Sequence, residues 1–264
     1  MGFTSALYPG EPIYDDSTPD DIPASAGRGL MLPLSHSAEG GNYGTSAIPF
    51  PQELLIPRSE WQARIQEKEE KQDRISDLCL RHNLPCKDQG QTSYCWINAP
   101  VHCMEIVRLI QNQEVVLLSP ASCGAKIKNF RNEGGWGLEG LRYISEHGIV
   151  PVSIWPANAI QRQYDTPEAW AEADKYRTTE WMELRPRNVE EQASCYFRNI
   201  PTADGQNHWS HEITGCDPVW LDGEIAFRKR NSWGMSYGSN GFFIQRGSKM
   251  LADDCVAPRV AMGG

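Results

Sequence analysis

Long apolar runs and an excess of basic residues are both missing from this 264-residue chain. No run of about 18 apolar residues occurs, so no helix that spans a bilayer is predicted. The formal net charge of -9 excludes a typical nucleic-acid-binding protein, because phosphate contacts need a basic surface. The first residues show no basic segment followed by an apolar one. We therefore expect no secretion signal, and a location in the cytoplasm or in a particle assembled inside the cell.

Metal-ligand spacings are missing as well. The 8 cysteines never form a C-x-x-C pair, and the 6 histidines do not fall at ligand spacings. We therefore expect no metal site and no cofactor. An even number of cysteines would suit disulfides. Their irregular spacing, in a long chain without a secretion signal, favours reduced and buried thiols instead.

Residues 1–57 differ in composition from the rest of the chain. They contain 8 prolines and 7 glycines, and seven acidic residues against one base, Arg28. They lack the sustained periodicity of a helix or a strand, so we expect an extended acidic arm and not a folded domain. Such an arm would lie across the body of its own chain or of a neighbouring one, and 58–264 would form the main domain.

The main domain shows helical patterns first and strand patterns later. One helix is predicted over 59–82, and a second begins at Cys95 with apolar residues every three or four positions. The pair Asp222-Gly223 separates two strand-like segments and predicts a hairpin turn. We therefore expect an α+β fold with a helical subdomain at 58–150, a β-rich subdomain at 151–264 and a cleft between them.

Cys95 has two features of a catalytic thiol. It follows a turn rich in glycine and polar residues, DQGQTSY, and it begins an apolar helix. The dipole of such a helix favours a thiolate by up to about 2 kcal/mol. A structural cysteine also fits this position, so other residues must decide. Thiol catalysis needs a histidine base, a group that orients the imidazole and a donor for the oxyanion.

Four segments of the chain, in the same order, resemble the papain family of cysteine peptidases. In the first, KDQGQTSYCW, Gln89 stands six residues before Cys95, and Trp96 follows directly, as around the family's nucleophile. The others resemble its Leu-Ser helix start, its paired glycines and its Asn-Ser-Trp-Gly motif: LSPASC at 118–123, NEGGWGLEGLRYISEHGI at 132–149 and NSWGMSYGSNGFF at 231–243. The resemblance implies the papain-like fold of two subdomains, one helical with the nucleophile helix and one of antiparallel strands.

The resemblance also implies a role for each matched residue. The nucleophile would be Cys95, the oxyanion donor Gln89 and the group that orients the imidazole Asn231. The indole of Trp233 would shield the bond between the imidazole and its orienting group. Two adjacent glycines would offer bare backbone to an extended peptide or protein substrate, Gly134 and Gly135. The chain is thus predicted to hydrolyse peptide bonds through a thioester.

Two histidines precede the segment that returns to Asn231, namely His208 and His211. Antiparallel pairing across the turn at 222–223 brings His211 closer than His208 to Asn231. We therefore predict that His211 is the base and that His208 lies in a loop.

Departures from the family keep a second function open. Tyr94 replaces a small residue before the nucleophile and predicts either a narrower cleft or a change on the primed side of the cleft. Thr92 and Asn132 stand where the family has a disulfide, and 1–57 shows no helical inhibitory propeptide. The alternative is a structural or binding component of a virus particle or other assembly, which keeps the fold and self-associates or docks through its arm.

Overall fold

A computed structural model describes residues 3–5, 8–20, 22–23, 25–32 and 47–262. Its helices are α1 (Trp61–Lys71), α2 (Ile75–Arg81), α3 (Cys95–Ile110), α4 (Pro120–Ile127), α5 (Gly137–His147), α6 (Pro167–Ala173) and α7 (Val189–Phe197). Its strands are β1 (Phe3–Ser5), β2 (Tyr8–Tyr14), β3 (Ala47–Pro49), β4 (Thr178–Glu183), β5 (Thr202–Gln206), β6 (His211–Leu221), β7 (Glu224–Arg230), β8 (Phe242–Gln245) and β9 (Asp254–Ala261).

These strands form one sheet in the order β1-β2-β8-β7-β6-β5-β9-β4-β3. Strands of the main domain pair antiparallel, and the hairpin of β6 and β7 turns where Leu221 faces Glu224. Two arm strands join in parallel instead, β2 beside β8 and β3 beside β4. The described part of the arm therefore lies on the body of its own chain, and part of it is strand.

Helix α3 lies between the other helices and the sheet. On one side Val101 and Met104 pack in a cluster with residues of α4 and α5. On the other side Ala99 and Cys103 pack with Val256 of β9. Because α3 is buried on both sides, its first residue comes to lie where the helical layer meets the sheet. No helix of the described residues is long and apolar enough to cross a membrane.

The helix predicted over 59–82 is divided in two. Gln72 has a left-handed backbone, with φ of 51°, and ends α1. The start of α2 is capped from β6, because the Asp217 carboxylate accepts from the amides of Ile75 (2.8 Å) and Ser76 (3.3 Å). A cap that comes from so distant a part of the chain cannot be read from the local pattern.

Acidic residues hold the arm to basic residues of the body. Glu11 of β2 forms a buried ion pair with Arg228 of β7. Further along, Asp15 pairs with Arg246 at 2.9 Å, and Asp20 pairs with Lys249 at 2.8 Å. The negative charge of the arm is thus used for docking on its own chain.

Candidate active site

Cys95 is the first residue of α3 and is fully buried. Burial raises the pKa of its thiol to about 12, and the Glu212 carboxyl adds to that rise. The amides of Glu212, Gly29 and Trp96 act in the opposite direction, because N–H groups favour an anionic sulfur. One of these three amides belongs to the arm, so the arm passes directly over the sulfur.

His211 is the first residue of β6 and is also fully buried. Its Nε2 lies 2.8 Å from Oδ1 of Asn231, and its ring stacks on Trp233 with centroids 4.6 Å apart. Burial lowers the pKa of His211 to about 4, the Asn231 bond raises it, and the nearby Arg28 guanidinium of the arm lowers it. Among the described residues, His211 Nδ1 has no hydrogen-bond partner.

The hairpin of β6 and β7 brings His211 and Asn231 together. Thr214 pairs with Arg230, so the residues that precede Thr214 on β6 run beside those that follow Arg230. Trp233 lies close enough to cover the imidazole because it follows in the same loop. His208 lies exposed in a short 3-10 turn before β6.

The Gln89 side chain is fixed at both ends. Its Nε2 donates to the Thr92 carbonyl (2.8 Å), and its Oε1 accepts from the Ser232 hydroxyl (2.5 Å). The Ser232 amide in turn donates to Asn231 Oδ1 at 2.8 Å. Ser232 therefore links the predicted oxyanion donor to the predicted orienting residue. Ser232 is not among the site residues predicted from the sequence, although the Asn-Ser-Trp-Gly motif contains it.

Residues 25–32 of the arm, here called the cleft segment, run through the site. The carbonyl of Gly27 accepts from Trp233 Nε1 at 3.1 Å. The carbonyl of Gly29 accepts from the Gly135 amide (2.9 Å), and the Met31 amide donates to the Gly135 carbonyl (2.8 Å). The bare backbone predicted to receive an extended substrate thus receives the arm, and Leu30 pairs with Gly135 in parallel.

Glycines are required on both sides of this contact. A Cβ on Gly29 would overlap the Ser93 carbonyl, and a Cβ on Gly27 would overlap the Thr92 carbonyl and lie 2.8 Å from Gln89 Nε2. A Cβ on Gly134 would overlap the Gly29 carbonyl. Replacing Gly29 by alanine is therefore expected to expel the cleft segment without altering the body.

Known proteins share this architecture. No protein-family model matches the chain. Cathepsin L 2 of Paramecium tetraurelia is 23% identical over an alignment of 186 residues, and the match covers 65% of this chain and 58% of that protein. The chain thus spans less than two thirds of the length of this curated relative.

Solved structures agree in the path of the chain. Procathepsin L 3 from the larval midgut of Tenebrio molitor superimposes with a TM-score of 0.58 at 19% identity, over 67% of this chain and 66% of that one. Xylellain, a cysteine protease from Xylella fastidiosa, gives 0.55 at 16% identity, over 69% and 83%. The fold is papain-like. The family resemblance and the α+β class predicted from the sequence are confirmed.

One expectation about the papain-like cleft is wrong. Tyr94, predicted to narrow it, turns into the helical core and is 1% exposed. Its hydroxyl donates to the Arg131 carbonyl (2.7 Å), and its ring covers Gly124, where a Cβ would lie 2.7 Å from it. The absence of a side chain at Gly124 gives the ring this space, so the tyrosine does not block the cleft.

Asn231 is expected to act by positioning the imidazole of the papain-like site. Asn231→Ala leaves a buried ring nitrogen unpaired, which costs about 1–3 kcal/mol, or about 5- to 150-fold in rate. The measurement is kcat/KM for a peptide substrate in protein that also carries Gly29→Ala. The exposed Asn207 supplies the control, since Asn207→Ala should leave the rate unchanged. Equal rates for the two variants would contradict the positioning role.

Proposed function

We propose that this chain is a papain-like cysteine peptidase whose cleft is filled by its own arm. The observation that carries the proposal is the backbone pairing of Gly29 and Met31 with Gly135, beside the Cys95 sulfur. A peptide already lies where a substrate would lie. The relatives of the chain are named as cathepsin L and cysteine protease, which supports the same chemistry.

The proposed reaction uses four side chains. The Cys95 thiolate attacks the scissile carbonyl carbon, and Gln89 donates to the oxyanion that forms. His211, oriented by Asn231, gives its proton to the amine as the C–N bond breaks. Water then attacks the thioester, loses a proton to His211 and releases the acid, while the sulfur leaves as thiolate.

The cleft segment is held in the site by its backbone. The amide of Gly29 lies against the sulfur of Cys95. The carbonyl of Gly29 accepts from the Gly135 amide, at 2.9 Å. In the proposal this segment acts as an inhibitor, because a peptide substrate cannot pair with Gly135 while Gly29 and Met31 do.

The arm also keeps the pair of catalytic groups neutral. With the cleft filled, burial places the pKa of Cys95 near 12 and that of His211 near 4. At neutral pH the site then holds a thiol and an uncharged imidazole. Removing the arm returns water to both groups and takes Arg28 away from His211, and both changes favour the charged pair.

Peptide cleavage by protein carrying Gly29→Ala tests the proposal. A mixed peptide library is incubated with this protein, and new termini are located by mass spectrometry. Cleavage that disappears in the double variant with Cys95→Ala supports a thiol peptidase. Cleavage that persists without Cys95, or no cleavage by protein whose Met31 amide exchanges freely, would overturn it.

The filled cleft also favours a second proposal. The papain-like scaffold would then serve a larger assembly through residues 1–57 and hydrolyse nothing. The contacts of the arm favour the peptidase, because Glu11, Asp15 and Asp20 all pair with bases of their own chain. An arm that docks on a partner in an assembly would need these acidic side chains free to contact that partner.

A reducing compartment is part of the proposal. All eight cysteines are buried and carry free thiols. A reduced state for so many thiols is typical of the cytosol and not of secreted proteins. We place the chain in the cytoplasm or in a particle assembled there, and its partner is a peptide or protein substrate.

A further inference from the structure

Glycine creates a recess in the sheet beside the catalytic groups. Gly205 of β5 pairs with Glu212 of β6 on one side and with Asp254 of β9 on the other. Residues paired directly across strands point to the same face, so the two acidic side chains flank a position that has no side chain. We call the space above Gly205, between Glu212 and Asp254, the Gly205 pocket.

The Glu212 carboxyl is buried in this pocket without a hydrogen-bonding side chain. Its relative exposure is 0%, and neither oxygen has a hydrogen-bond partner among the described side chains. The Gly137 amide at the start of α5 favours its anionic form. A Cβ on Gly137 would overlap the carboxylate oxygen, so the helix start carries a glycine where the acid approaches.

The ionisable groups around Glu212 are acids and thiols. They are Asp254 of β9, Asp204 of β5, and Cys95 and Cys103 of α3. Asp204 is already paired with Lys229 at 2.8 Å, and Glu183 of β4 faces Asp254. Burial raises the pKa of Glu212 well above its usual range and that of Asp254 to about 7. A cation that entered the pocket would meet two carboxyls ready to ionise.

The pocket is occupied by the arm in this structure. Leu30 is 8% exposed, and its two terminal carbons lie 3.2 and 3.3 Å from where a Cβ on Gly205 would be. Asp254 Cβ lies 3.0 Å from the same point. The apolar side chain of Leu30 therefore lies against two neutral carboxyls, those of Glu212 and Asp254. Leucine carries no charge, so it forms no ion pair with them.

We propose that the Gly205 pocket selects peptide substrates with lysine or arginine at the position that pairs with Gly135. The inference rests on the proposed peptidase function and names its substrate class. A substrate backbone bound to Gly135 as the arm is would direct this side chain, like that of Leu30, over Gly205. An ammonium or guanidinium group would reach Glu212 and Asp254, form an ion pair and gain an advantage over Leu30 in displacing the arm.

The arm itself supplies the probe, because its residue at this position can be changed in the full chain. Leu30→Lys introduces a cation, and Leu30→Met is its neutral control of similar length. With methionine, the folded carboxyls keep their protons while the unfolded ones lose them, so stability falls as pH rises. With lysine, the folded carboxyls also ionise, so this loss is removed. The difference in melting temperature, lysine minus methionine, should rise by about 3 °C or more between pH 5 and 8.

Glu212→Gln should remove most of this rise, and Asp254→Asn provides a second test if the first variant folds poorly. Exchange protection of the Met31 amide shows whether the substituted side chain stays in the cleft. A temperature difference independent of pH or of both acids would overturn the inference, as would loss of Met31 protection with lysine alone. The test needs no hydrolysis. A negative result in this test would therefore not count against the peptidase proposal. In the same way, a failure to cleave peptides would not change the interpretation of the melting temperatures.

Discussion

Displacing the cleft segment is expected to raise peptide hydrolysis by about 100-fold if the covered form is about 99% populated. The change is Gly27→Ala together with Gly29→Ala. Each new Cβ would overlap a body carbonyl, those of Thr92 and Ser93. The backbone bonds between the arm and Gly135 then cannot form, and the cleft opens. The measurement is kcat/KM for a fluorogenic peptide at pH 6.5 against the unaltered chain.

The control for this prediction lies in the same segment. Ser25 is exposed, so Ser25→Ala should leave hydrolysis unchanged. The docking of β2 should persist, since Glu11 and Arg228 are not altered. Activation without a large loss of melting temperature is therefore expected. If the double variant is as inactive as the unaltered chain while its Met31 amide exchanges freely, the arm is not what silences the site.

Loss of the imidazole should have the second large effect. In protein with the arm displaced, His211→Ala removes the base that forms the thiolate and the acid that protonates the leaving amine. General acid–base catalysis contributes about 10²- to 10⁴-fold, so we expect a fall in kcat of that size. The residual rate should rise with pH towards the ordinary thiol pKa of about 8.5, because the unaided thiolate then forms.

His208 provides the matched control. It lies three residues away, exposed in a 3-10 turn, so His208→Ala should leave kcat within about 2-fold of the parent, a change of about 0.5 kcal/mol in activation free energy. Equal losses in the two variants would mean that neither imidazole is specific to the chemistry. A larger loss for His208 would mean that the base is assigned to the wrong histidine.

Local patterns were enough to predict much of the fold and of the site. The helix that begins at Cys95 and the hairpin turn at 222–223 follow from periodicity and turn chemistry. The preference for His211 over His208 follows from counting across that hairpin. In the structure, Asn231 is hydrogen-bonded to the His211 imidazole and Trp233 stacks on it. Their catalytic roles stay a proposal.

Features made by tertiary contacts could not be predicted in the same way. The path of the cleft segment depends on close approaches of Gly27 and Gly29 to body carbonyls, which no local pattern encodes. One feature of the sequence does mark the cleft segment. Arg28, the one basic residue of the acidic arm, stands between these two glycines. The Gly205 pocket needs strands β5, β6 and β9 side by side, and their order appears only in the sheet.

The central claim is that Cys95 and His211 form a reactive pair that the arm covers. Alkylation with iodoacetamide at pH 6, followed by mass spectrometry, tests it most directly. An ordinary thiol, with a pKa of about 8.5, is almost wholly neutral there and reacts slowly. We predict selective labelling of Cys95 in the Gly27→Ala, Gly29→Ala protein, little labelling in the unaltered chain, and loss of labelling with His211→Ala. Labelling of Cys95 no faster than that of the other seven cysteines, with the arm displaced, would contradict the account.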